Sequence, residues 1–355
     1  MCVREGILME STALSRNLFD YATSELSQDA FICWLSAQWD SEDETLRRTS
    51  QRFLHRCVGG MANVDDAVPV RVLTIMRQYR GIDVLLIVSV QGRAVAVVIE
   101  DKVYAVEHDE QLERYRKAMA GLSEVDSISV VYYKTGSLTE RQAIRGRCDV
   151  ILDRKAILDC LSADMSNIVN PILCDYVEHL KSLDAIYEAY STMPLREWNY
   201  EQFCGFFENL EGLIRRNAPT IVWTGYGYND NRSGGHWTFW CGNDMEVGDV
   251  PGQRFMVNIE SPSASRLHSE QWLCRALVRH CGDGMGKHSR NDLHIPDVND
   301  RKYLRMPGND PVVGTLFEVK RDNSESEYTY HDLENLIIKA IDEYTSWCQD
   351  NRYVG

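Results

Sequence analysis

The chain has 355 residues, of which 44% are hydrophobic and 26% charged. This length predicts two domains that can each bury a core, and this composition excludes a disordered or fibrous protein. The net charge of −15 excludes a surface that is basic throughout and binds nucleic acid indiscriminately, but it is compatible with a local basic groove.

The N-terminus and the cysteines predict the cellular compartment. The first residues contain no basic segment followed by an apolar run, and no later stretch is long and apolar enough to cross a membrane. We therefore expect a cytoplasmic protein. The 11 cysteines are scattered without short paired spacings, which indicates reduced thiols.

Helical and strand periodicities alternate along the first half of the chain. Apolar residues at intervals of three and four predict an amphipathic helix over 17–39, broken near residues 24–27, and a second helix over 42–57. The period then changes to two, which predicts strands over 70–79, 82–90 and 93–103. Gln91-Gly92 is the tight turn of a hairpin between the last two strands.

Further elements complete this domain. They are a helix over 107–119, short strands over 128–133 and 149–151, and helical residues 155–190 that Pro171 opens or interrupts. Two helices, three strands, a helix and a strand in this order predict an α/β fold with a mixed central sheet flanked by helices. We assign residues 1–192 to it.

A change in composition after Met193-Pro194 predicts a second domain over residues 195–355, rich in aromatic side chains. Its strands are expected over 221–226, 236–241, 255–260 and 315–320, and its helices over 269–280 and 330–349. This pattern predicts an α+β domain. The sequence does not choose among substrate binding, regulation and a homodimer contact as its role.

Charged residues interrupt the apolar hairpin strands of the first domain. Asp83 stands at the head of one strand, and Glu100 and Lys102 end the other. Because side chains alternate along a strand, Glu100 and Lys102 share a face. A two-residue turn places Asp83 opposite Glu100, so the three charges are expected to meet.

This arrangement favours a metal-dependent hydrolase. Two carboxylates that face each other repel unless a cation lies between them. Mg²⁺ is a hard ion that takes one or two carboxylates and completes its shell with water and phosphate oxygens. Such an ion activates water and stabilises the charge on a phosphate, and a lysine beside it can hold the water or the phosphate.

The order Asp83, then Glu100-Asp101-Lys102, resembles the motif of the PD-(D/E)xK nuclease superfamily, and is closest to its bacterial stand-alone members. Glu25 resembles the helix-borne acid that precedes the sheet in that superfamily, although Asp29, one turn later, is an alternative. Gln111 and Tyr115, at i and i+4, resemble its Gln-x-x-x-Tyr helix. The resemblance covers residues 17–150.

The resemblance implies a restriction-endonuclease-like core and a role for each matching residue. Asp83, Glu100, Glu25 and the main-chain carbonyl of Asp101 would bind Mg²⁺ or Mn²⁺, and Lys102 would orient the water or the phosphate. Gln111 and Tyr115 would support the substrate. It further implies an endonuclease that acts on DNA in preference to RNA, in bacterial restriction, repair or phage defence. The alternative is a non-catalytic nucleic-acid-binding or scaffold protein that keeps the fold.

Other patterns carry weaker hypotheses. Glu318-Val319-Lys320 repeats the Glu-x-Lys triplet without an Asp-headed hairpin before it, and is interpreted as an exposed strand end. Basic residues are frequent in 134–155 and 271–305, and either stretch could follow a phosphate backbone. For each stretch taken alone, a solvated face or loop is the favoured interpretation. A zinc site at His280, Cys281, His288 and His294 lacks zinc-ligand spacing. Aromatic residues around the loop 229–235, chiefly Tyr226, Tyr228 and Trp237, are candidates for stacking on bases.

Overall fold

The computed structural model describes residues 15–59, 67–103, 111–121, 124–139, 144, 146–164, 170–229, 235–248, 251–263, 265, 267, 271–281, 312–321 and 328–353. The chain forms two compact units. The first comprises residues 1–136 and 140–183, and the second comprises residues 137–139 and 184–355. Residues 184–192, at the end of the predicted first domain, group with the second unit.

The elements of the first unit follow the predicted order. Its helices and strands are α1 (Glu25–Ser36), α2 (Glu44–Val58), β1 (Arg71–Tyr79), β2 (Ile82–Val90), β3 (Arg93–Lys102), α3 (Gln111–Ala120), β4 (Ser127–Lys134), β5 (Val150–Asp153), α4 (Arg154–Ser162) and α5 (Pro171–Glu188). The predicted start of α3 at 107 lies outside the described residues. Pro171 opens α5, which is one of the two predicted alternatives.

The break predicted near residues 24–27 is confirmed and has a capping residue as its cause. A single 3₁₀ turn, Leu18–Asp20, is followed by α1, for which Ser24 is the N-cap. The Ser24 side chain accepts a hydrogen bond from the Ser27 amide, and this satisfies one of the free N–H groups of the first turn.

The first sheet is mixed, with strand order β1-β2-β3-β4-β5. β1, β2 and β3 are antiparallel neighbours, and β3, β4 and β5 are parallel. Lys102 pairs with Lys134, and Lys134 with Asp153, so the carboxyl ends of three strands meet at one edge. An α/β class with a mixed sheet and flanking helices is thereby confirmed.

The hairpin between β2 and β3 has the predicted register. Val84 pairs with Ile99 and Ser89 with Ala94. The φ angles are 52° at Gln91 and 78° at Gly92. Two successive positive φ angles characterise a type I′ turn, whose twist matches that of the strands it joins. The turn thus fixes which residues of the two strands lie opposite each other.

The core of the first unit lies on one face of its sheet, beneath α1, α2, α4 and α5. Alternate residues of β2 and β3 enter this core, including Val84, Leu86, Val97 and Ile99. The opposite face contacts α3 through its β3 and β4 strands. Glu100 and Lys102 lie one residue out of step with the core positions of β3 and therefore project to the α3 side.

The second unit is an antiparallel sheet with helices. Its elements are α6 (Tyr200–Asn217), β6 (Trp223–Asn229), β7 (His236–Gly242), β8 (Phe255–Glu260), β9 (Trp272–His280), β10 (Val312–Lys320) and α7 (Tyr330–Asp350). Strand order is β10-β9-β8-β7-β6. Apolar residues of α6 and α7 pack against the inward residues of these strands. The α+β character is as predicted.

The helix predicted over 269–280 is wrong, because residues 272–280 form β9. Arg275 and Arg279 stand at i and i+4, a spacing that shares a face in a helix and in a strand alike. In the sheet both guanidinium groups pair with the buried carboxylate of Glu260 on β8. These non-local partners favour the strand over the helical periodicity.

The aromatic residues expected around the loop 229–235 differ in exposure. Tyr226 is buried, contrary to expectation, and its hydroxyl donates a hydrogen bond to the carbonyl of Leu138 at 3.2 Å. Tyr228 is exposed and Trp237 half-buried. Core packing thus accounts for Tyr226. Among the described helices of the chain, none is long and apolar enough to cross a membrane.

Candidate active site

The ammonium group of Lys102 lies where three acceptor groups converge. It forms an ion pair with Glu100 Oε1, lies 3.7 Å from Asp83 Oδ2, and donates a hydrogen bond to the main-chain carbonyl of Asp101 at 3.0 Å. Asp83 Oδ2 also accepts a hydrogen bond from the Asp101 amide at 3.0 Å. The hairpin therefore brings together the three charges that the sequence singled out.

Burial changes the pKa values of the charged groups in this cluster. Glu100 is fully buried, and Lys102 is 8% exposed. Desolvation, reinforced by the nearby charge of Asp83, raises the pKa of Glu100 to about 7, although Lys102 opposes this shift. Burial alone would lower the pKa of Lys102, but Glu100, Asp83 and Glu25 together raise it above its ordinary value. Lys102 is thus held as a cation by its acidic neighbours.

The side chain of Asp101 points to the other face of the sheet and meets a residue that the sequence reasoning missed. Gln28 of α1 donates a hydrogen bond to Asp101 Oδ1. Its carbonyl oxygen accepts hydrogen bonds from Thr135 at 3.0 Å and from Tyr176 at 3.2 Å. Gln28 thereby ties the end of β3 to α1, to α5 and to the end of β4. The sequence offered no signal for Gln28, because its partners Asp101 and Tyr176 lie 73 and 148 positions away along the chain.

We predict that Gln28→Leu destabilises the protein by about 1–3 kcal/mol, because it leaves the buried Asp101, Thr135 and Tyr176 groups without their partner. Urea denaturation measures the change. Gln38→Leu is the control, since the Gln38 side chain makes only one hydrogen bond within the described residues, to the Trp34 carbonyl. Equal stability of the parent and Gln28→Leu would contradict the network.

Both candidate helix-borne acids lie near the cluster. Glu25 Oε1 accepts a hydrogen bond from the Val103 amide, at the end of β3, at 3.1 Å. Asp29 is buried and accepts a hydrogen bond from Gln78. Desolvation and the charge of Asp83 raise the pKa of Asp29. Glu25 is the acid that reaches the β3 end directly, whereas Asp29 faces the β1 side.

Gln111 and Tyr115 form a connected pair. Gln111 Nε2 donates a hydrogen bond to the Tyr115 hydroxyl at 2.6 Å, and this hydroxyl donates to the carbonyl of Gly81. Burial, and then the charge of Glu100, raise the pKa of Tyr115 to about 12. Tyr115 is 5% exposed. Its hydrogen bond to the Gly81 carbonyl holds the turn that precedes Asp83.

A second lysine stands beside Lys102. Lys134 pairs with Lys102 across the parallel strands and is 1% exposed. Residues paired in register project to the same face of a sheet, so the Lys134 side chain lies on the same face as that of Lys102. In the sequence, Lys134 directly follows the strand predicted over 128–133, and nothing there links it to the site. Only the parallel pairing of β3 with β4 makes that link.

The oxygen donors at the β3 end fit a hard divalent ion. Two carboxylates and one carbonyl are the groups that Mg²⁺ binds, and water with phosphate oxygens completes its coordination. Glu100 Oε2 is buried without a hydrogen-bond partner among the described residues, and a cation would satisfy it. Within the same described ranges, no group of three or more His, Cys, Asp and Glu side chains is arranged to hold a metal. An ion bound to all three oxygens would have to displace the Lys102 ammonium.

The remaining residues singled out in the sequence lie outside this site or outside the described residues. Glu318 and Lys320 are exposed on β10. His280 is buried and Cys281 half-buried, whereas His288 and His294 lie outside the described residues, as does most of the basic stretch 271–305. Comparison with family models, with curated proteins and with solved structures finds no match for this chain.

Proposed function

We propose that the chain is a metal-dependent nuclease of the PD-(D/E)xK superfamily, with a restriction-endonuclease-like core in its first unit. It hydrolyses phosphodiester bonds, in DNA rather than RNA, in a bacterial restriction, repair or phage-defence setting. One observation carries the proposal. Asp83, Glu100 and the carbonyl of Asp101 converge on the Lys102 ammonium at the carboxyl end of β3.

The residues have distinct roles in this proposal. Asp83 and Glu100 would hold the ion by their carboxylates and Asp101 by its carbonyl, and Glu25 would assist from α1. A bound Mg²⁺ or Mn²⁺ supplies Lewis acidity at the phosphate and a water of lowered pKa. With an ion on these oxygens, Lys102 would stabilise the charge of the phosphate or orient the attacking water.

Tyr115 and Gln111 act by positioning. The Tyr115 hydroxyl holds the Gly81 carbonyl, and Gly81 lies two residues before Asp83. Gln111 holds the same hydroxyl from one helical turn away. This pair keeps the head of β2 in place while substrate and metal exchange at the site.

The test is incubation of the pure protein with single- and double-stranded DNA and RNA in Mg²⁺, Mn²⁺ or EDTA. We expect cleavage with a metal ion, none in EDTA, and a decrease of about a thousandfold in Asp83→Ala because the ion loses a ligand. Glu318→Ala is the matched control. It removes the exposed acid of the second Glu-x-Lys triplet and should cut like the parent.

Two outcomes would contradict the proposal. Cleavage by Asp83→Ala at the parental rate, or unchanged cleavage in EDTA, would remove these residues from the reaction. Absence of cleavage under every condition, with nucleic acid still bound, would favour a non-catalytic protein that keeps the fold.

A further inference from the structure

Helix α2 carries a row of arginines on its exposed side. Arg48, Arg52 and Arg56 follow one another at intervals of four, and Arg47 lies next to the row. Four residues advance a helix by about 6 Å and return to almost the same face, so the three guanidinium groups lie in a line. The opposite side of α2 is buried in the core of the first unit.

This row lines a cleft of about 1010 Å³, together with residues of β5, which is the edge strand of the first sheet. We call it the α2–β5 cleft. Its lining includes Arg47, Arg48, Arg52 and Arg56 of α2 and the acids Asp149 and Asp164. Pockets for small organic ligands are mostly apolar. A wall of arginines is instead suited to an extended anion.

The two acids of the cleft are already paired. Asp149 accepts a hydrogen bond from the Val130 amide at 2.7 Å and pairs with Arg116 at 2.9 Å. Asp164 pairs with Arg52 at 2.9 Å. Arg56 is exposed and makes no side-chain hydrogen bond or ion pair with any described residue. The cleft therefore keeps a positive charge in a chain whose net charge is −15, which points to an anionic ligand.

We propose that the α2–β5 cleft binds the phosphate backbone of the nucleic acid cleaved at the Lys102 site. This inference rests on the proposed function. β5 is two strands from β3 and forms the edge of the sheet, so the cleft lies on the order of 10–20 Å from Lys102, around that edge from the α3 face. A strand that passes through the site can extend this far, and the row of arginines follows successive phosphates. The contacts hold the backbone without reading the bases.

Two double variants with the same change of charge test the cleft. Arg48→Gln with Arg56→Gln removes one arginine paired at i,i+4 and one without a described partner. Arg215→Gln with Arg216→Gln on α6 removes the same charge elsewhere, since Arg215 pairs with Glu211 as Arg48 pairs with Glu44. The side chains of Arg48 and Arg215 are 62% and 63% exposed.

The measurement is fluorescence anisotropy of a labelled DNA duplex titrated with protein in EDTA, at a series of salt concentrations. We expect Arg48→Gln/Arg56→Gln to weaken binding about tenfold at low salt and to reduce the slope of log K against log salt by about 2, one for each phosphate that is no longer neutralised. The α6 pair should change neither quantity. Arg48→Lys/Arg56→Lys, which keeps the charge, should retain most of the slope.

The outcomes separate this inference from the proposed activity. If Arg48→Gln/Arg56→Gln binds DNA like the parent, or if the α6 pair weakens binding equally, the proposal that the cleft binds DNA is overturned. The proposed nuclease activity is not affected by either result. A parent that binds through the cleft but never cuts overturns the nuclease proposal alone. Competition by polyglutamate that matches unlabelled DNA would assign the cleft to an acidic protein and overturn the assignment to nucleic acid.

Discussion

Lys102→Met is expected to reduce cleavage by about a thousandfold, because the substitution removes the charge that stabilises the phosphate or orients the water. In the metal-free protein it also leaves Glu100 and Asp83 without their shared cation. Breaking a buried ion pair by removing one partner is strongly destabilising, and we expect a decrease of about 3 kcal/mol in the free energy of unfolding at pH 8. Urea denaturation in EDTA measures this decrease.

Metal should partly restore the stability. The Lys102 ammonium contacts the oxygens that are proposed to hold the ion. Methionine does not compete for them, so Mn²⁺ should bind Lys102→Met more tightly than the parent and raise its melting temperature further. Isothermal titration calorimetry measures the affinity. Tighter metal binding without cleavage would distinguish a residue that acts on the substrate from a metal ligand.

Lys320→Met is the matched control, since Lys320 ends the second Glu-x-Lys triplet and is exposed. We expect its stability to stay within about 0.5 kcal/mol of the parent. Equal effects of the two substitutions would show that the surroundings of Lys102 add nothing to the triplet itself.

The hairpin of the candidate site could be predicted from the sequence because its determinants are local. A two-residue turn with Gly92 fixes the register, and the alternation of apolar and charged residues fixes the faces of the strands. Once the register is fixed, Asp83, Glu100 and Lys102 have to meet. The same kind of local information predicted the break near Ser24 and the extent of α2.

Residues whose role depends on distant parts of the chain could not be predicted. Gln28 contacts Asp101 and Tyr176, which are 73 and 148 positions away in sequence. Lys134 reaches the site only because β4 lies parallel to β3. The α2–β5 cleft likewise needs α2 beside β5, and the sequence shows only the row of arginines. In β9, Arg275 and Arg279 take their partner from β8, and this tertiary pairing outweighs a helical pattern.

The stability of the metal-free protein should fall with rising pH because of Glu100. Burial raises the pKa of this carboxyl in the folded state to about 7, against an ordinary value of 4.5. Below the ordinary value it is protonated in both states and has no effect on the pH dependence of stability. As the pH rises from there to about 7, the unfolded state releases its proton first, so folding becomes less favourable by about 3 kcal/mol in total.

Glu100→Gln isolates this contribution, because the amide does not ionise. In EDTA, the stability of Glu100→Gln relative to the parent should rise by about 3 kcal/mol between acidic pH and pH 8. Glu318→Gln, exposed on β10, should track the parent at every pH. A Glu100→Gln difference that does not vary with pH would mean that Glu100 ionises as it does in water.

In the presence of metal, the stability of the folded protein should rise with pH, which is the opposite of the metal-free protein. An ion bound by Glu100 requires the ionised carboxylate, so binding releases a proton below about pH 7. In that range the apparent affinity for the metal should fall about tenfold for each unit by which the pH is lowered. Above that value the affinity should level off. Calorimetry in buffers of different ionisation enthalpy measures the proton released. Absence of proton release at pH 6, with metal still bound, would place the ion away from Glu100.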